Sequence, residues 1–184
     1  MSISEFQELG ALGKGSFASV VKVERKCDGQ VYAMKKVHFG NKPKQELYDT
    51  LNEIRFLASL KHENIVGLYE VFEVQEDEAI CLILEFCELG DLQKQIERCK
   101  KEKRRFEESK IWKYLAQILD AIAFLHKHNV VHRDVKAANC FLTKGGSIKL
   151  GDMNVSKQIK NEKLLQTATG TPYNMAPEVW RLYN

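Results

Sequence analysis

Apolar positions along the chain change their rhythm partway, so that a strand-rich first part gives way to a helix-rich second part. Phe6 to Gly13 and Ala18 to Arg25 read as two strands around a glycine turn, with Val20, Val21 and Val23 supplying β-branched side chains. Asp28-Gly29 marks the next turn, and Gln30 to Val37 reads as a third strand. After Pro43, Leu47, Leu51, Ile54 and Ala58 recur at helical spacing. His62 to Val66 closes that helix and opens a fourth strand, and Ala79 to Phe86, apolar on both faces, reads as a central fifth. Gly90-Asp91-Leu92 starts a helix. Glu107 to His128 predicts the longest one, with Ile111, Leu115, Ile118, Ile122 and Leu125 on a stripe turned to the core and acids in its first turn. Cys140 to Leu142 and Ser147 to Leu150 form a hairpin around Gly145-Gly146. The order, five strands around one helix and then a helical part, is that of an α+β fold.

Composition narrows the class. A chain of 184 residues with 44% hydrophobic and 29% charged residues has room for one domain or two small lobes with a real core. Its net charge of +3 is too small to imply a nucleic-acid partner. The five cysteines, Cys27, Cys81, Cys87, Cys99 and Cys140, are odd in number and lack C-x-x-C spacing, which argues against disulfides or a zinc site. MSISEFQELG has no apolar signal-peptide core, and the apolar run Ala79 to Leu84 is too short to span a membrane. The expectation is a soluble intracellular protein with neither membrane nor nucleic acid as partner. Arg98 to Arg105 is strongly basic, but Glu97, Glu102, Glu107 and Glu108 interrupt or flank it and no aromatic side chains interleave, so it reads as a solvated face rather than a nucleic-acid or nuclear-localisation patch. His126 and His128 point apart on a helix and make no metal pair.

Chemistry concentrates in two short loops. Val131 to Asn139 reads VHRDVKAAN, and Gly151 to Asn154 reads GDMN. His132, Arg133, Asp134 and Asn139 fit the H-R-D-x-x-x-x-N pattern of a phosphoryl-transfer loop, and Asp152 stands where a metal-holding aspartate would follow. Phosphoryl transfer asks for positioning and charge neutralisation: one carboxylate to accept the hydroxyl proton, and a carboxylate with an amide oxygen to hold Mg²⁺. Upstream, Leu12-Gly13-Lys14-Gly15-Ser16-Phe17-Ala18-Ser19-Val20 is either a plain hairpin turn or a loop whose backbone N–H groups cradle phosphates. Ala18 replaces the third glycine of the G-x-G-x-x-G-x-V pattern, a change that costs about 1 kcal/mol only if its φ is positive. Ala33-Met34-Lys35 resembles the V-A-I-K signature, against the plainer alternative of a surface lysine on an edge strand. Asp91 caps a helix or reaches a ribose.

From Phe6 to Trp180 the sequence resembles a eukaryotic protein kinase catalytic domain. Lys136 and Gly170-Thr171-Pro172-Tyr173 point to the serine/threonine branch. NCFLTKGGSIKLGDMNVSK and GTPYNMAPEVW resemble the NIMA-related (NEK) kinases. The resemblance implies a two-lobe fold, with an N-lobe over residues 1–86 and a C-lobe over 87–184, and an enzyme that moves the γ-phosphate of ATP, with Mg²⁺, onto Ser or Thr of protein substrates. Asp134 would be the base, Lys136 the γ-phosphate stabiliser, and Asn139 and Asp152 the metal ligands. Lys35, paired with Glu53, would hold the α- and β-phosphates. Leu12, Gly13, Lys14, Gly15, Ser16, Phe17, Val20 and Ala33 would cover the nucleotide. Leu84 would be the gatekeeper, Glu85 and Cys87 the hinge, and Phe141 the adenine floor, with Asp91 near the ribose. Thr167 would be the activating phosphosite and Thr169 its alternative. A cytoplasmic location, with cytoskeletal, ciliary or nuclear association, follows from the same resemblance.

Two departures bear on activity. Met153 and Asn154 replace the phenylalanine and glycine of D-F-G: Met153 is still apolar, and Asn154 is tolerant of a positive φ. The sequence ends at Asn184, shortly after Ala176-Pro177-Glu178, where a kinase domain continues through further helices. The expectation is therefore an incomplete helical lobe in which part of the Ile111 to Leu125 stripe stays wet, so that the chain is not a well-packed, fully active monomer and offers a surface for a docking partner. The competing reading is a pseudokinase or truncated nucleotide-binding scaffold without phosphotransfer.

Overall fold

The computed structural model describes residues 2–14, 18–38, 51, 54–74, 77–152, 157–158 and 177. Gly15, Ser16, Phe17, Glu53, Met153, Asn154, Thr167 and Thr169 lie outside the described residues, as does the A-P-E element apart from Pro177. The chain divides into two compact units, one of residues 1–61 with 67–86, the other of residues 62–66 with 87–184.

The first unit is a five-stranded antiparallel sheet of β1 (Phe6–Lys14), β2 (Ala18–Arg25), β3 (Val31–His38), β4 (Leu68–Val74) and β5 (Ala79–Glu85), in the order β1-β2-β3-β5-β4. β3 is paired on both sides, so the edge-strand alternative for Lys35 does not hold. β5 lies between β3 and β4, and its residues Ala79 to Ile83 are all buried, as its uniformly apolar sequence predicts. Strand alternation sorts the side chains into two layers. Phe6, Val23, Tyr32, Met34, Cys81 and Ile83 form one buried cluster, and Leu51, Ile80 and Leu82 another with Ile54 and Leu68 packed against it. Residue 51 and residues 54–59 are helical, which agrees with the spacing of Leu51, Ile54 and Ala58. The β2–β3 turn is built on Asp28, whose Oδ1 accepts from the N–H of Gln30 at 2.9 Å, and on Gly29 at φ 67°.

The second unit holds α1 (Leu92–Lys101), α2 (Glu108–Lys127), and the short strands β6 (Val130–Val131), β7 (Cys140–Leu142), β8 (Ile148–Leu150) and β9 (Lys157–Gln158). β7 pairs with β8 and β6 with β9, both antiparallel. Asp91 caps α1, its Oδ1 accepting from the N–H of Lys94 at 2.8 Å, and Arg98, Lys100 and Lys101 sit at the helix end that favours cations. Past the end of α2, Asn129 takes a left-handed conformation at φ 56°, a stop that asparagine tolerates well.

One expectation is corrected. Residues 62–66 do not open the fourth strand, which starts at Leu68; they join the second unit instead. Asn64, buried, donates from Nδ2 to the Ile148 carbonyl at 2.9 Å, and the N–H of Val66 donates to the Leu150 carbonyl at 2.8 Å. On α2, Leu125 of the expected stripe is buried together with Tyr114 and Ala121, while Ile111 and Leu115 stay exposed, in line with the expectation that part of the stripe stays wet. The hairpin meets α2 through polar contacts: Gln117 Oε1 accepts from the Ile148 N–H at 3.1 Å and Lys113 Nζ donates to the Gly146 carbonyl at 2.8 Å.

Candidate active site

In the first unit, register alone aligns the expected nucleotide residues. Lys35 pairs with Val20 on one side and Leu82 on the other, and Ala33 pairs with Lys22 and Leu84. Directly paired residues in a sheet share a face, and so do alternate residues of one strand. Val20, Ala33, Lys35 and Leu84 therefore occupy one face, opposite Tyr32 and Met34. Leu12, Gly13 and Lys14 end β1 beside Ser19 and Val20. Ala18 lies within β2 and has no positive φ, so the lost glycine carries no backbone cost there. The N–H of Glu85 donates to the Gly67 carbonyl at 2.8 Å, and the Glu85 carboxylate accepts from the Gly67 N–H at 3.1 Å. That N–H is thus engaged within the unit and does not serve the hinge.

The second unit assembles the catalytic-loop residues. Val130 and Val131 anchor the strand that enters the loop, and a 3₁₀ turn over Ala137–Asn139 leaves it. Between them Arg133 adopts φ 67°, turning the chain so that Asp134, Lys136 and Asn139 converge. Asp134 Oδ2 lies 2.7 Å from Lys136 Nζ and accepts from Asn139 Nδ2 at 2.9 Å. The same Nδ2 donates to the Asp134 carbonyl at 2.8 Å. Asn139 is buried, and its amide nitrogen donates to Asp134, so that its Oδ1 is the atom of this amide that a metal could use. Asp152, exposed and at φ 57°, supplies a carboxylate. Among the described residues no three His, Cys, Asp or Glu side chains gather as a metal cage. One carboxylate and one amide oxygen fit Mg²⁺, which typically takes one or two carboxylates and completes its shell with phosphate oxygens and water.

Two backbone bridges tie this cluster to its neighbours. Asp91 bridges Phe141, and the Leu142 N–H donates to the Gly90 carbonyl at 2.8 Å, so the residues expected at ribose and adenine floor are held side by side. The Cys87 carbonyl accepts from the Gly90 N–H at 3.1 Å, and the Cys87 side chain is buried as a packing residue. Burial pushes the Cys140 thiol up to about 11, which makes it unreactive near neutrality.

His132 is a structural link that motif reading missed. It is buried, its Nδ1 accepts from the Asp134 N–H at 3.3 Å, and its Nε2 faces the Gly151 carbonyl at 2.9 Å. The proton therefore belongs on Nε2, and a second proton on Nδ1 would oppose the Asp134 N–H. Burial pulls the His132 pKa below its ordinary value, outweighing the Gly151 carbonyl and the two aspartates that act the other way. The unfolded chain then takes up the proton more readily than the folded one. Stability is fully present above about pH 6.5 and falls as pH drops from there toward the lowered folded pKa, by at most about 1.4 kcal/mol per pH unit. Urea unfolding at pH 7.5 and 5.5 is expected to show this loss, and His132→Asn to shrink it. An equal loss in parent and variant would assign the effect to other groups.

Residues 6–183 match the protein kinase domain family. The chain is 38% identical over 179 residues to the "Probable serine/threonine-protein kinase nek2" of Dictyostelium discoideum, covering 96% of this chain and 43% of that protein. It is 37% identical over 199 residues to the G2-specific protein kinase fin1 of Schizosaccharomyces pombe, covering 97% and 28%. It is 38% identical over 169 residues to the serine/threonine-protein kinase Nek9 of Mus musculus, covering 91% and 17%. The chain thus spans less than half the length of these relatives.

Proposed function

The chain belongs to the protein kinase domain family, and from that premise we propose that it is an ATP- and Mg²⁺-dependent, Nek-like protein serine/threonine kinase. The reading is carried by one observation: the Asp134 carboxylate, fixed by Lys136 and Asn139 within a single loop. Two donors on Oδ2 set the plane of the carboxylate, which then accepts the proton of an incoming Ser or Thr hydroxyl. Lys136 neutralises charge on the phosphoryl group in transit. Asn139 and Asp152 would hold Mg²⁺, which when bound would supply positive charge to offset that of the phosphates. Lys35 takes the α- and β-phosphates with Glu53 as its partner, and Leu12 to Val20, including Gly13, Lys14, Gly15, Ser16 and Phe17, covers them. Ala33, Leu84, the Glu85 carbonyl, the Cys87 N–H, Asp91 and Phe141 contact adenine and ribose. Substrates are proteins with accessible Ser or Thr, and the location that goes with the Nek-like reading is cytoplasmic.

Saturating ATP with Mg²⁺ is expected to stabilise the fold by mass action, by about 2.7 kcal/mol at a hundredfold excess over Kd. Asp152→Asn removes most of the magnesium-dependent part of the thermal shift and leaves adenosine binding in place. Equal shifts with and without metal in the parent chain would contradict the proposed metal site. Phosphorylation of Thr167, with Thr169 second, would add a charge that Arg133 is suited to meet. Thr167→Ala is then expected to lower transfer activity; a variant as active as the parent would reject that assignment.

A second reading, a docking or scaffold protein without phosphotransfer, draws on the exposed apolar side chains Ile111, Trp112, Leu115 and Leu119 of α2. A partner covering them is the form it takes. Asp134-dependent phosphate transfer separates the two.

A further inference from the structure

We infer that Gly151 is a positioning residue: its missing side chain lets Phe141 and Val66 close over the backbone, and that packing sets Phe141 and Asp152 together. The inference rests on the roles proposed above for those two residues. Gly151 is not among the glycines with positive φ, so its backbone conformation is open to other residues. Space is what excludes them. A Cβ at Gly151 would lie 2.8 Å and 2.9 Å from Cε2 and Cδ2 of Phe141 and 2.9 Å from Cγ2 of Val66, closer than real Cβ atoms approach. Gly13, Gly29, Gly90 and Gly146, by contrast, have nothing within 4 Å of that position.

The backbones of Gly151, Phe141 and Val66 are all tethered, so relief must come from the half-buried Phe141 ring or from residue 151 itself. The Gly151 N–H donates to the Asn139 carbonyl at 2.8 Å and its own carbonyl faces His132 Nε2 at 2.9 Å, so the catalytic loop grips the peptide on both sides. Phe141 is fixed by pairing with Lys149 across the β7–β8 hairpin and by its bridge to Asp91. Val66 is tied to Leu150 through its N–H at 2.8 Å. An added methyl group must therefore either push the Phe141 ring or peel residue 151 from Asn139 and His132. The first disturbs the base side of the site. The second shifts Asp152, the next residue, whose backbone stands at φ 57°. In both cases the damage reaches nucleotide binding through its neighbours, because Gly151 has no side chain of its own to offer.

The test is calorimetric titration with ADP, with and without Mg²⁺, of the parent, Gly151→Ala, Phe141→Leu, Val66→Ala and the two doubles that combine Gly151→Ala with either relieving change. Overpacking a closed site predicts that Gly151→Ala weakens Mg²⁺·ADP binding about fivefold or more, and that each double returns to within about twofold of its relieving single variant. If Gly151→Ala does not fold, the doubles carry the test, and both are expected to fold and bind. Parent-like affinity in Gly151→Ala overturns the inference. So does a lowered unfolding midpoint with unchanged affinity, or doubles no better than the single variant. A parent that binds no Mg²⁺·ADP overturns the kinase reading and this inference with it, whereas a binding parent without relief in the doubles overturns this inference alone.

Discussion

Asp134→Asn is expected to lower phosphate transfer to a Ser or Thr substrate by about 10²–10⁴-fold, the range that a positioned acid–base group contributes. The substitution keeps the size of the side chain and removes its ability to take a proton. It also replaces a carboxylate oxygen that faces both Lys136 Nζ and Asn139 Nδ2 with an amide, so the ion pair to Lys136 is lost. Nucleotide affinity should change little, because the proposed nucleotide and metal contacts lie on other residues. The discriminating measurement is steady-state kinetics with ATP varied: turnover falls and the ATP KM stays near the parent value. A large rise in KM with preserved turnover would place Asp134 in nucleotide binding instead.

The largest effect on stability is expected at Leu125. Within α2, Leu125 is 0% exposed and Leu119 is 55% exposed, although both are leucines on one helix. Leu125→Ala removes a fully buried side chain and leaves a cavity, at a cost of about 2–5 kcal/mol. Leu119→Ala removes a side chain already in water and should stay within about 0.5 kcal/mol of the parent. Urea midpoints on both variants check this. A hydrophobic dye should bind the face formed by Ile111, Trp112, Leu115 and Leu119, and Leu115→Lys with Leu119→Lys should reduce the signal. Similar losses at Leu119 and Leu125 would mean that the exposed face is covered in solution.

That helix also shows where sequence reading stopped. Its length was legible from Glu107 to His128, because apolar spacing and terminal charges mark a helix regardless of what it packs against. Its buried face was legible only in part: Leu125 of the stripe is buried, but the partner hairpin is met through polar contacts from Lys113 and Gln117, which apolar spacing does not register. The sheet was read closely, since a period of two leaves little freedom once β-branched runs and glycine turns are fixed: β2 runs over Ala18–Arg25, as expected. In the site, two charged residues and an amide at fixed spacing identified Asp134, Lys136 and Asn139 as candidates, and the structure brings these three together. The parts that escaped notice act through backbone groups or through absence. His132 works by joining two main chains, Asn64 by satisfying a carbonyl distant in sequence, and Gly151 by leaving room. Such roles depend on which segments meet, and a linear pattern does not encode that.

The most direct test is transfer of label from γ-³²P-ATP by the 184-residue chain to a protein substrate, followed by phosphoamino-acid analysis. The expected result is phosphoserine or phosphothreonine that disappears when EDTA removes Mg²⁺ and falls to background in Asp134→Asn. A chain that binds Mg²⁺·ATP yet labels no substrate above the Asp134→Asn background would contradict the account and leave nucleotide binding without catalysis as the function.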